Sequence, residues 1–297
     1  MVIAGRKYSK VLSITIVVVI YLITLFIVVS FLDLVPFDSS IYRVLALDVL
    51  ATVIVFGFSF VFKNSSIYDP YWSVVPPVVV LYLVSINPDG NFYRQAVVVT
   101  IVAFWGIRLT FNWLKGWDGM HKQDWRYIKL SNDTGKFYWL VSFLGIHLLP
   151  TLVVFAGLLP CWFILSSTEP LNIWDGVVAT ITIGFIAIEW IADWQLSRFK
   201  KQNIKDAFIN EGLWAFSRHP NYLGEIGFWL GIFLFLLSSK VYSGIWSVIG
   251  FLLMVMLFNF ISIPMMDKRN IEKRAGYSEY MKSVPALLPA FKRKSKI

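Results

Sequence analysis

Arg218, His219, Asn221 and Glu225 crowd into Ser217-Arg218-His219-Pro220-Asn221-Tyr222-Leu223-Gly224-Glu225, directly before a long apolar run. Pro220 suits the first position of a helix, because its fixed φ is already helical and its missing N–H is no loss there. Arg218 and His219 then stand at the positive end of that helix, where free backbone donors and cationic side chains make a phosphate site. Asn221 and Glu225 are four apart and share one side of the first turns. A nucleotide, phosphates at one end and hydrogen-bonding groups at the other, suits this constellation. A basic loop facing lipid headgroups suits it too.

Glu189 and Asp193 lie four apart in another apolar stretch, and Ser197 and Lys200 continue the same stripe. Ionisable groups within membrane helices are costly and mark functional sites, so this stripe is expected to face the bundle interior and run toward the Arg218 loop. An interhelical pair is the alternative. Asp69-Pro70-Tyr71-Trp72-Ser73 offers an acid and a phenol at a span boundary. Such groups can donate protons to a buried carbonyl, or they can be a helix cap within an aromatic belt. Arg126, in Asp124-Trp125-Arg126-Tyr127, could hold phosphate or meet headgroups. Near the C-terminus Asp267 precedes Tyr277-Ser278-Glu279-Tyr280, a spacing that suggests a folded segment.

These residues have to be positioned by membrane helices. The chain is 57% hydrophobic and 15% charged, with a mean hydropathy of +0.66. Soluble domains carry about 25% charge. Eight spans are expected, roughly 11–32, 41–62, 73–87, 95–114, 137–159, 174–196, 222–238 and 244–265. The third begins around Pro76-Pro77 and could be broken or re-entrant, which would leave seven. The first is too long for a signal-peptide core and reads as a retained helix. With the N-terminus inside, only Arg43, Arg94 and Lys240 fall on the far side and Arg108 within a span, so 23 of 27 basic residues are cytoplasmic. Both termini are then cytoplasmic, and the net charge of +9 is a matter of topology that needs no nucleic acid. The sequons at Asn64 and Asn132 fall on the cytoplasmic side and should be unused. One cysteine, Cys161, and three scattered histidines argue against a disulfide or a metal site.

Residues 213–225 resemble the C-terminal signature of steroid 5-alpha-reductases and sterol double-bond reductases. Asp267-Lys268-Arg269, Gly276 to Tyr280 and Pro289 resemble the tail that follows in those enzymes. The spacing of Glu189, Asp193 and Lys200 also fits, and within the superfamily the chain is most similar to the DUF1295 branch. The resemblance covers roughly 185–291. It implies an all-α polytopic membrane bundle, one integral domain over 1–297. Residues 1–136 would be variable spans, and 137–297 would be the part that binds NADPH at the cytoplasmic side. It further implies cofactor contacts from Glu189, Asp193, Lys200, Arg218, His219, Asn221, Tyr222, Glu225, Asp267, Tyr277 and Tyr280, with Arg126 added from its charge. The activity implied is hydride transfer to a carbonyl-conjugated C=C bond of a lipid or steroid-like substrate. Asp69 stands at the position of a substrate-holding Glu, and Trp105 stands where a Tyr would hold the carbonyl. Tyr71 or Tyr68 could supply the missing phenol beside Asp69. Arg218-His219-Pro220-Asn221-Tyr222-Leu223-Gly224 also satisfies the motif of membrane methyltransferases that use S-adenosylmethionine. A non-catalytic lipid-binding relative is a third reading.

Overall fold

The computed structural model describes residues 8–289; Arg6, Lys7, Lys292, Arg293, Lys294 and Lys296 of the charge argument lie outside them. The described residues form helices and turns and no strand. The α-helices are α1 (Lys10–Ser30), α2 (Ser40–Phe62), α3 (Tyr71–Ser85), α4 (Phe92–Gly116), α5 (Trp125–Thr134), α6 (Tyr138–Ser142), α7 (Leu149–Ser166), α8 (Ile173–Lys201), α9 (Pro220–Ser238), α10 (Val248–Leu257), α11 (Ile263–Lys273) and α12 (Tyr277–Ser283). Eight stretches are long and apolar enough to cross a bilayer: Lys10–Ser30, Ser40–Phe62, Ser65–Ser85, Phe92–Gly116, Trp125–Ser166, Ile173–Lys201, Pro220–Ser238 and Tyr242–Lys273. The described residues are those of an all-α integral membrane protein with eight candidate spans, the number its sequence predicts.

The third span is not broken at its prolines. Pro76 and Pro77 lie inside α3, which runs on to Ser85. Pro77 has no N–H to give the Ser73 carbonyl. That carbonyl lies against Gly106 of α4, where any side chain would overlap it. Ser73 Oγ meets Thr110 Oγ1 at 2.9 Å, one turn further along α4. A neighbouring helix thus packs onto the backbone that the prolines free, as membrane helices with interior proline require.

The helices group into two compact units. One comprises the chain up to Pro88 with Val102–Trp162, and the other Asp89–Ile101 with the chain from Phe163 onward.

In the first unit α1, α2 and α3 close on a core of Val17, Ile20, Ala51, Val55, Ile67, Tyr68 and Tyr71. Asn64 is buried at the end of α2. Its Nδ2 donates to the carbonyls of Met120 (2.8 Å) and Lys122 (3.1 Å), and its Oδ1 accepts from Ser66 N. The sequon amide is therefore committed inside the fold. A π-helical turn, Phe143–Leu148, precedes α7 and turns His147 inward, with Nε2 3.1 Å from Ser59 Oγ and Nδ1 3.0 Å from the Ser142 carbonyl.

In the second unit α8 and α9 form a close pair. Gly224, Gly227 and Gly231 line the face of α9 that meets Glu189, Phe185 and Thr182 of α8. A Cβ on Gly224 would stand 2.5 Å from that of Glu189 and 2.7 Å from the Phe185 carbonyl oxygen. Small residues let membrane helices approach until backbones touch, which replaces the hydrophobic drive that lipid does not supply. Arg94 of this unit is fully buried. Its Nη2 meets Asp175 Oδ2 at 2.9 Å, and its remaining donors reach Asp175 Oδ1, Ser167 Oγ and the carbonyls of Glu169 and Pro170. Asp175 also accepts from Ser238 Oγ and caps α8 with Asn172. Arg94, read from sequence as a loop charge, is thus an enclosed ion pair that ties the ends of α8 and α9.

Candidate functional site

The second unit gathers most of the residues singled out in the sequence. Pro220 is the first residue of α9, as expected. The 3-10 turn Gly212–Ala215 leads into it; Gly212 adopts φ +60, and the backbone there lies against the Gln195 side chain. Trp214 packs with Ala192 and Ile209, and its Nε1 donates to the Ala192 carbonyl at 3.1 Å. The loop is thereby fixed to α8.

Asp267 of α11 is the centre of a buried cluster. Its Oδ2 accepts from Arg218 Nη2 at 2.9 Å. Its Oδ1 lies 3.0 Å from His219 Nε2 and accepts from Tyr277 Oη at 2.8 Å. Arg218 Nη1 donates to the carbonyls of Val284 (2.6 Å) and Met281 (3.3 Å). The backbone follows suit. Arg218 N donates to the Pro285 carbonyl at 2.9 Å, and His219 N to that of Ala286 at 3.1 Å. Tyr280 Oη donates to the Trp214 carbonyl. Burial pushes the Tyr277 and Tyr280 phenols above their ordinary range, so both remain protonated donors at neutral pH. The segment after α11 is thus a folded strap latched to the entrance of α9. Arg218 and His219 hold Asp267 and strap carbonyls, an occupation that a phosphate-binding reading of the sequence does not anticipate.

Of Arg218, only Nε is a buried donor without a partner. His219 stacks on Tyr222, ring centroids 5.2 Å apart and planes within 7°, and Tyr222 also meets Phe258. One turn into α9, Asn221 Nδ2 donates to Asp193 Oδ1 at 3.3 Å. The Oδ1 of Asn221 is buried and has no hydrogen-bond partner. Glu225 is buried and accepts from Trp229 Nε1 at 2.8 Å, and Glu189 is buried where Gly224 meets α8. The stripe on α8 grades outward from buried Glu189 through half-buried Asp193 to exposed Lys200.

The first unit holds the remaining candidates. Asp69 and Tyr71 do not bond each other. Asp69 Oδ1 accepts from Tyr127 Oη at 2.6 Å. Tyr71 Oη donates to Asp48 Oδ1 at 2.6 Å. Tyr68 stacks on Tyr71 at 4.9 Å, and its hydroxyl meets Thr151 Oγ1 at 2.7 Å, which meets Thr52 Oγ1 at 2.7 Å. Phenols hydrogen-bonded to carboxyl groups can pass protons. Arg126 folds back on its own helix cap, with Nε 2.8 Å from Asp124 Oδ1. Trp105 is fully buried, its ring 6.4 Å from that of Trp72.

Asp48 is the functional candidate that the sequence reading passed over. Its signal was present: it is the one acid within the apolar α2. The glycine stripe of α9 was equally visible as Gly224-x-x-Gly227-x-x-x-Gly231.

Comparison with known proteins adds a family. The chain is 24% identical to an uncharacterized protein of Schizosaccharomyces pombe, over 80% of its own length and 76% of the relative's. No solved structure matches it. The family model described as "Protein of unknown function (DUF1295)" matches residues 55–284, which run from α2 through the strap and take in Asp69, Asn221, Asp267 and Tyr280. The chain belongs to the DUF1295 family.

Proposed function

We propose that this protein is an NADPH-dependent reductase of a carbon–carbon double bond in a lipid or steroid-like substrate. It would act in the endoplasmic reticulum if eukaryotic or in the inner membrane if bacterial, with both termini cytoplasmic. The carrying observation is the Asn221 amide. Its nitrogen is held by Asp193, while its buried oxygen has no partner. A buried acceptor left unmade costs about 1–3 kcal/mol, and the carboxamide N–H2 of a nicotinamide ring would satisfy it. The N-terminus of α9 beside it favours negative charge. Arg218 can add its Nε, while its Nη1 and Nη2 already bond the strap carbonyls and Asp267. The likeness of residues 213–225 and of the Asp267–Tyr280 strap to sterol reductases supports the reading.

NADPH, when bound, would supply a hydride to the β-carbon of a carbonyl-conjugated double bond. The α-carbon would take up a proton; within the first unit, Asp69 with Tyr127 and Tyr71 with Asp48 are the phenol–carboxyl pairs able to hold one. The remaining residues bind and orient: Asn221 and Asp193 at the amide end, and the Asp267 cluster keeping the strap in place.

The test is binding of tritiated NADPH to the purified protein in detergent with added lipid, alongside S-adenosylmethionine. NADPH should bind saturably, and Asn221→Leu should weaken it about tenfold, the worth of one hydrogen bond. If wild-type protein binds no NADPH under any lipid condition, the reading is wrong. Binding of S-adenosylmethionine that NADPH does not displace would assign methyl transfer instead.

A further inference from the structure

Two tryptophans at the end of α4 differ from three phenols packed in the same cluster. Trp113 and Trp117 are one helical turn apart, with Trp117 N bonded to the Trp113 carbonyl at 2.8 Å. Their rings stack with centroids 4.8 Å apart and planes 22° from parallel. Trp117 is buried and belongs to the core of the first unit, and Trp113 packs against that core. The Nε1 of each is buried and has no hydrogen-bond partner.

Buried indole N–H groups usually find a partner, and native structures leave few buried donors unmet. The phenols of the same cluster obey this rule. Tyr21 donates to the Ile67 carbonyl, Tyr68 meets Thr151, and Tyr71 meets Asp48. Two unmet donors four residues apart at the end of α4, beside three satisfied phenols, are not general looseness of the core. Each is a cost to the fold until an acceptor arrives. Val17, Ile20, Ala51 and Val55 with Phe58, Phe62 and Trp72 make the surrounding cluster largely apolar. An acceptor oxygen on an apolar body matches that chemistry.

We propose that Trp113 and Trp117 form a binding site for a neutral hydrophobic molecule carrying a carbonyl oxygen, with the indole N–H groups donating to that oxygen. The site stands independently of the reductase reading, since it needs neither cofactor nor turnover.

The experiment uses full-length protein in nanodiscs and a long-chain methyl ketone labelled at its carbonyl, with the alkane of the same length as the oxygen-free control. Ketone should be retained saturably and its carbonyl stretch should move to lower frequency, while alkane is not retained. Trp113→Phe and Trp117→Phe should each weaken retention about tenfold, the fold-change of one lost hydrogen bond. Trp72→Phe, which trims a third indole packed on the same core, should leave retention within about twofold. A readout without substitution uses nitrogen-labelled tryptophan. Among thirteen indole N–H resonances, two should shift on adding ketone and none on adding alkane. Equal retention of ketone and alkane overturns the proposal. So does undiminished retention by the double variant, or an indole spectrum that ketone leaves unchanged.

Discussion

Replacing Asp267 by Asn isolates the latch that holds the strap to α9. The substitution keeps the volume and one acceptor oxygen but removes the charge and presents an N–H2 to groups that are themselves donors. Three donors meet this carboxylate: Arg218 at 2.9 Å, His219 at 3.0 Å and Tyr277 at 2.8 Å. The Arg218 and Asp267 side chains are only 10% and 8% exposed, so water cannot take over their bonds. Hydrogen bonds to a charged group are each worth about 1.5–3 kcal/mol, and removing one partner of a buried pair costs about 3–5 kcal/mol. Asn retains part of the set, so about 3 kcal/mol should be lost locally. The readout is amide hydrogen exchange at Arg218 and His219, whose N–H groups bond Pro285 and Ala286. Their exchange should quicken about a hundredfold, and exchange in α1 to α4 should not change. Unaltered exchange at 218 and 219 would mean the carboxylate holds nothing. An equal acceleration throughout would mean the strap is no separate latch.

Further outcomes are expected elsewhere. Gly227→Ala drives a methyl group into the Phe185 ring and should cost about 1–3 kcal/mol, read as a lower melting temperature in detergent. Gly57→Ala, with no neighbour within 4 Å of the added carbon, should be neutral or stabilising by up to about 1 kcal/mol. Arg94→Ala leaves Asp175 buried without its cation and should cost about 3–5 kcal/mol in a thermal unfolding assay. The strap should also be alkali-sensitive. The folded Tyr277 and Tyr280 phenols are raised by burial, so the folded state keeps protons that the unfolded chain releases above about pH 10. Protection of the Arg218 and His219 amides should be flat below that pH and fall above it, and Tyr277→Phe with Tyr280→Phe should abolish the fall.

The number and order of the spans were legible in the sequence because a bilayer demands about 20 apolar residues in a row, a local property of the chain. The start of α9 at Pro220 was legible for the same kind of reason, since proline acts on its own backbone. Which face of each helix turns inward was not legible. In lipid both faces are apolar, so the contrast that marks an inner face in water is missing, and only exceptions such as Glu189 or Asp48 betray it. The chemistry of Arg218 and His219 lay further out of reach. An arginine and a histidine at a helix tip can be read locally, but Asp267 lies 49 and 48 residues away from them, and nothing local announces that it will hold them. The pairing of Tyr71 with Asp48 rather than with nearby Asp69 was hidden likewise. A hydrogen bond depends on where two side chains end up within about 3 Å, and that distance is set by packing across helices and by no spacing along one of them.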